Sequence, residues 1–97
     1  MTDTSYTVID NKELSRFEIH VDGFIAFEDY ELFDGGIAYT HTEVPKELGG
    51  RGIAKFLIKT ILDDAAAKGL KVKPICPMVR AFIEKNPEYQ ANTVDYP

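Results

Sequence analysis

A single cysteine, Cys76, is all the 97-residue chain offers in sulfur nucleophiles, which excludes an intrachain disulfide and any metal cluster built on cysteines and fits a reducing compartment. No stretch approaches the roughly 20 apolar residues that a membrane-spanning helix needs. Residues 1–10 lack the basic segment and apolar run of a secretory leader, so a cytoplasmic protein is expected. Basic residues are in deficit. Eleven Lys and Arg against 16 Asp and Glu leave a net charge of -5, and that field repels phosphate backbones and anionic lipid. Neither nucleic acid nor a membrane is an expected partner. Internal repeats, linkers and low-complexity tracts are also missing, and the length leaves room for one domain, 1–97, without a separate regulatory module. A monomer or a weak homodimer is expected.

What is present suffices for a fold. Hydrophobic residues make up 44% of the chain and charged ones 28%, the balance of an ordinary folded protein. Residues 16–21 alternate strictly, with Phe17, Ile19 and Val21 on one face and Arg16, Glu18 and His20 on the other, the period of a half-buried strand. Asp22-Gly23 supplies a hairpin turn into a second strand at 24–32, and Asp34-Gly35-Gly36 turns into a third at 37–44. A short extra strand is expected at 6–9. After Pro45 the period changes. Ile53, Leu57, Ile61 and Ala65 recur every four positions, opposite a polar stripe of Arg51, Lys55, Lys59 and Asp63, which predicts an amphipathic helix from about Gly50 to Lys68-Gly69. A short strand at 70–76 and a second helix at 78–85, opened by Pro77 and ended by Asn86-Pro87, complete an α/β (α+β) pattern in the order β-β-β-α-β-α.

The junction from Val44 to Ala54 carries the strongest chemical signal. Gly49, Gly50 and Gly52 fall within four positions, just before a helix that aims unpaired N–H groups and the positive end of its dipole at the same point. Such a place suits phosphate oxygens, whatever the net charge of the chain. The glycines alone also fit a plain loop at a helix start. Neither common phosphate motif is present: no Gly-Lys-Ser/Thr ends the loop, and the first-strand context of a dinucleotide fold is missing.

Four motifs in order, His41-Thr42-Glu43-Val44-Pro45, Gly50-Arg51-Gly52-Ile53-Ala54, Cys76-Pro77-Met78-Val79 and Asn86-Pro87-Glu88-Tyr89, resemble the minimal GNAT-type N-acetyltransferases, over about residues 14–89. The resemblance implies a mixed, mostly antiparallel sheet with two main helices. Its last parallel pair would splay apart to admit acetyl-coenzyme A (acetyl-CoA). It also implies pyrophosphate binding by Gly49, Gly50, Arg51, Gly52, Ile53 and Ala54, and a backbone N–H near Val44 directed at the thioester carbonyl, with Pro45 breaking the strand there. Arg80, Asn86 and Tyr89 would flank the pantetheine or adenine, although Tyr89 also suits core packing. The chain departs from the superfamily pattern twice. Gly49 stands where an Arg or Gln is common, which removes a side-chain contact, and Ile83, beside Phe82, stands where larger members place a tyrosine acid.

Three residues are candidates for the chemistry. Cys76 closes a strand before Pro77 and a helix start, where the dipole favours the thiolate; the resemblance puts it beside the acetyl thioester. It would accept the acetyl group or protonate the leaving thiolate, against the plain reading of a small buried hydrophobe. His41 and Glu43 lie two apart, so strand alternation puts them on one face with Ile37 and Tyr39, and either would serve as base toward an ammonium. His20 is assigned no role. No metal is expected. The expected activity is acetyl transfer to an unidentified amine, a lysine or polyamine suiting the acidic surface, with a non-catalytic coenzyme-A-binding module as the alternative and a plain scaffold third.

Overall fold

The computed structural model describes residues 6–94. Five strands, β1 (Ile9–Asn11), β2 (Arg16–Val21), β3 (Phe24–Phe33), β4 (Gly36–Glu43) and β5 (Lys71–Pro74), form one sheet in chain order. The first four pair antiparallel, and β5 adds to β4 in parallel. Helix α1 (Ile53–Ala67) makes the crossover between β4 and β5, and α2 (Pro77–Lys85) follows β5. The mixed α+β architecture is the expected one.

Local chemistry accounts for the boundaries. Asp22 and Gly23 both have positive φ, 52° and 82°, the combination that matches a two-residue turn to the twist of β2 and β3. Gly52, in the left-handed region at φ 72°, stands before α1, three residues later than the sequence predicts because Gly50 and Arg51 are still loop. Gly69, at φ 71°, ends it as expected. The strand expected at 6–9 lies instead at Ile9–Asn11. Tyr6 is drawn away from the sheet edge by its ring, 5.4 Å from that of Phe56 on α1, and by its hydroxyl, which donates to the Arg51 carbonyl at 3.2 Å.

Both helices cover one face of the sheet. Leu57, Ile61, Leu62 and Ala65 of α1 and Val79 and Ile83 of α2 join Phe17, Ile19, Tyr30 and Tyr39 of the strands in one core cluster. Each such valine, leucine or isoleucine contributes about 1.5–3 kcal/mol of burial. Tyr39 is fully buried and donates its hydroxyl to the Ile61 carbonyl at 2.7 Å, which ties β4 to the middle of α1; burial pushes its ionisation well above the usual tyrosine range. Tyr39→Phe should therefore cost about 1 kcal/mol in urea unfolding, the net value of one buried hydrogen bond, with the slope unchanged.

The other face carries a polar cluster in place of a helix. Glu18 accepts from Arg16 Nε at 2.6 Å and from Asn11 at 3.0 Å, and lies 2.8 Å from His20 Nε2, while the Arg16 guanidinium caps the Phe27 ring at 4.3 Å. Glu18 is covered by these partners, and the bonds from His20 and Arg16 hold its carboxyl at about 2. The expected exposed face of β2 is thus a built ion cluster.

Candidate functional site

A backbone irregularity in β4 builds the site. Tyr30 pairs with Tyr39 and Asp29 with His41, so Thr40 is an extra residue on β4, a β-bulge. Beyond it the facing of side chains reverses. Ile37 and Tyr39 point into the core, but His41 and Glu43, expected on that same face, emerge on the opposite one with Phe27 and Asp29 as their register partners or neighbours. That expectation is corrected: alternation holds only while neither strand carries an insertion. His41 Nε2 and Glu43 Oε1 are 3.0 Å apart with both side chains more than half exposed, an ion pair worth little in stability.

The same bulge turns Thr42 inward, in register with Glu28. The Thr42 hydroxyl donates to Glu28 Oε1, and its Oγ1 lies 3.0 Å from the sulfur of Cys76. All three groups are buried, with Glu28 at 0% exposure and Cys76 at 2%. Burial pushes the Glu28 carboxyl up to about 7; the Thr42 bond and the His41 backbone N–H favour the charged form without offsetting that cost. Cys76 is held by its amide, which donates to the Tyr39 carbonyl at 2.8 Å, and stands as the cap residue before α2, with Pro77 in the first turn.

Sequence reasoning missed Glu28 and Thr42. The available signal was a glutamate between Ala26 and Tyr30 at inward-facing spacing, but Ile25 and Phe27 make the other face of β3 look equally apolar.

Next to this triad the sheet opens. Pairing of β4 with β5 runs from Gly36 with Lys71 to Tyr39 with Pro74; β5 then ends, and β4 continues through Glu43 along that edge without it. The chain leaves β4 through Val44, half-buried against the core, and Pro45, makes a 3-10 turn at Lys46–Leu48, and enters the glycine loop. Gly49 is extended, whereas Gly50 and Gly52 have φ of 78° and 72°, and an added Cβ at either would meet nothing within 4 Å, so the space over the loop is open. No side chain caps α1, whose first hydrogen bond runs from Phe56 N–H to the Gly52 carbonyl. The amides of Ile53 and Ala54 therefore have no helical acceptor. Arg51 reaches away from this space: its guanidinium pairs with Asp22 at 2.7 Å and fastens the loop to the β2–β3 turn.

From the first turn of α1 a groove of about 550 Å³ runs between α1 and α2. Ala54, Ile58, Phe82 and Tyr89 give it an apolar wall, and Lys55, Lys59 and Lys85 bring three cations to it in a chain of net charge -5. Lys59 shares its charge with Asp63 at 2.9 Å, and Tyr89 donates to the same carboxylate at 2.8 Å while packing on Phe82. Asn86 lines the groove and caps α2 by donating to the Phe82 carbonyl at 2.9 Å. Ile83, where a tyrosine acid was looked for, is fully buried in the core. Free helix amides, open glycines and lysines around an apolar slot are what a ligand with phosphates and a long uncharged arm requires.

A strand pair opening beside a glycine loop, with that groove behind it, is the arrangement of a GNAT-like fold, and the chain belongs to the GCN5-related N-acetyl-transferase family, whose model matches residues 16–92. Among solved structures it is similar to a GCN5-like candidate N-acetyltransferase from Staphylococcus aureus, determined in solution by NMR. The TM-score is 0.71 at 28% identity, over 92% of this chain and 88% of the other. It is also 43% identical over 47 residues to Protein NATD1 of Bos taurus and of Homo sapiens, and 40% identical over 50 residues to that of Danio rerio. Those stretches cover 48%, 48% and 52% of this chain and 42%, 42% and 46% of the relatives, so it matches less than half the length of each. Among the described residues no helix is long and apolar enough to cross a membrane, and no group of metal-ligating side chains is present.

Proposed function

We propose that the chain binds acetyl-CoA in the groove between α1 and α2 and transfers its acetyl group to an amine. The observation that carries this reading is the opening between β4 and β5 beside Cys76, continuous in the fold with the uncapped start of α1. The fit is good on three counts. The open backbone at Gly50 and Gly52, with the amides of Ile53 and Ala54, would hold the pyrophosphate; Lys55 and Lys85 would answer a further phosphate; and the apolar wall at Ile58 and Phe82 suits an uncharged arm. Gly49 gives no side-chain contact and Arg51 is engaged with Asp22, so binding rests on backbone and lysines. Bound there, acetyl-CoA supplies an activated thioester.

Cys76 is then the group to receive the acetyl group or a proton. A backbone N–H near Val44 would stabilise the developing oxyanion. His41 and Glu43 would take a proton from an amine that arrives over the outer face, where both are solvent-exposed. A lysine side chain or a polyamine suits the net negative charge. A cytoplasmic setting goes with this reading. A coenzyme-A-binding module with little turnover is the second reading, favoured by the burial of Ile83, which leaves α2 without a hydroxyl acid at that position.

The test is a thermal melt with acetyl-CoA on the wild type and on Gly52→Asp, which sets a carboxylate in the open space over the loop. A ligand at about 100 times its Kd stabilises by about 2.7 kcal/mol, a shift of several degrees in a domain this small, and the variant should lose it. No shift at millimolar acetyl-CoA would sink the proposal. A shift without coenzyme A release in the presence of amines would select the binding module.

A further inference from the structure

A buried carboxylate stands behind Cys76, and its position has no structural account. Among the described residues, Glu28 Oε2 is buried and has no hydrogen-bond partner. Such an oxygen costs a fold more than a neutral side chain of the same shape would. The other oxygen is spent on Thr42, and here the hydroxyl's single proton decides the direction of the whole chain. Because Thr42 donates to Glu28, its oxygen can only accept from the thiol 3.0 Å away. If the carboxyl is instead protonated and donates to Thr42, the hydroxyl turns its proton toward sulfur and stabilises a thiolate. One geometry serves both protonation states.

We propose that Glu28 is a positioning residue that receives the Cys76 proton through Thr42 and so prepares the thiolate. The S–H bond breaks as a proton reaches Thr42 Oγ1, and the original Thr42 O–H bond breaks as its proton reaches Glu28. Threonine ends unchanged, and one negative charge has moved from carboxylate to sulfur. Resting on the acetyl-transfer reading, the next step forms a bond from the Cys76 sulfur to the thioester carbonyl carbon. The donor's carbon–sulfur bond breaks, and its electron pair leaves on the donor sulfur. When the amine nitrogen displaces Cys76, sulfur recovers its proton from Glu28 by the same path, and the proton lost by the amine passes through the exposed His41–Glu43 pair to solvent. The titratable groups around Glu28 are Tyr39 and Cys76 on its own side of the sheet and, acting through the sheet from the outer face, Asp29 and His41; burial outweighs their fields and brings the carboxyl into the neutral range, where it can both take and return a proton.

The experiment uses the full chain without acetyl-CoA, and reads the rate of reaction of the only thiol with methyl methanethiosulfonate from pH 5 to 10. Wild type should show two rises, one near pH 7 as the doubly protonated Glu28–Cys76 pair loses its first proton and shares the other, and one at higher pH as that shared proton is lost. Glu28→Gln and Thr42→Val should abolish the first rise and slow the reaction at pH 7.5 about tenfold, while Thr42→Ser should restore it. A wild type with no rise near pH 7, or a rise that survives Glu28→Gln, would overturn the proposal. Should Glu28→Gln fail to fold, the Thr42 pair decides alone, since a merely structural hydroxyl would leave the pH profile in place. With the cofactor absent from this assay, its failure and the failure of the acetyl-CoA melt are separate results.

Discussion

At pH 8, Glu28→Gln should melt about 10 °C or more above the wild type. Glu28 titrates at about 7 in the fold against 4.5 without it, because ionisation must occur in a buried site. Its folded pKa is raised, so its contribution is fully favourable below about pH 4.5, is lost as the pH rises through 7, and stays lost above. A shift of that size corresponds to about 3 kcal/mol, and glutamine, neutral at every pH, avoids it while keeping a carbonyl for the Thr42 hydroxyl. In a domain near 100 residues each kcal/mol moves the midpoint by about 4–8 °C. Melting both proteins from pH 4 to 8.5 checks the claim: the gap should be near zero at pH 4.5 and complete by pH 8. A gap independent of pH would mean that the gain comes from packing. Glu18 works in the opposite sense. Held at about 2, it contributes above pH 4.5 and is lost as the pH falls toward 2, so these two carboxylates together place the wild-type optimum in the mildly acidic range.

Gly36→Ala should destabilise the chain by about 2 kcal/mol and weaken acetyl-CoA binding as well. The requirement at Gly36 is one of space: an added Cβ would lie 2.6 Å from the Lys71 carbonyl oxygen and would overlap the Phe33 ring. The ring can turn aside, but the carbonyl belongs to β5, whose pairing with β4 begins at this residue and is reinforced by Lys71 N–H donating to Gly35 at 3.0 Å. Overpacking of this kind costs about 1–3 kcal/mol. Relief by displacement of β5 would shift the near side of the opening that the cofactor is proposed to enter. Urea unfolding would measure the first effect. An acetyl-CoA titration under conditions where both proteins are folded would measure the second, and affinity equal to wild type would show that the opening does not depend on this end of the pair.

Where local rules act alone, the sequence was readable. Alternation delimited β2, Asp22-Gly23 marked the turn, and Gly69 closed α1, whereas the start of that helix lay three residues beyond the Gly50 that the pattern indicated. The resemblance supplied the opening between β4 and β5, which periodicity could not. The face assignment failed at His41 and Glu43 because Ile37, Tyr39, His41 and Glu43 alternate without a break in the sequence, whereas the inserted Thr40 is visible only against β3. Glu28 was hidden for a related reason, as a charged residue amid apolar ones is read as outward until its neighbours across the sheet are known. Both misses concern register, a property of two strands, and single-strand patterns do not contain it.

The bulge has a bearing on how β4 should be altered by design. It divides the strand into two half-strands of opposite parity that share a backbone. Odd-numbered positions before Thr40 belong to the interior and odd-numbered positions after it to solvent. Deleting Thr40 would make the Tyr30–Tyr39 and Asp29–His41 pairs consecutive and join the halves in one regular ladder, leaving Thr42 turned toward Cys76 and His41 and Glu43 toward solvent. The inserted residue thus changes the numbering parity of the strand's second half while its removal would leave the facing unchanged.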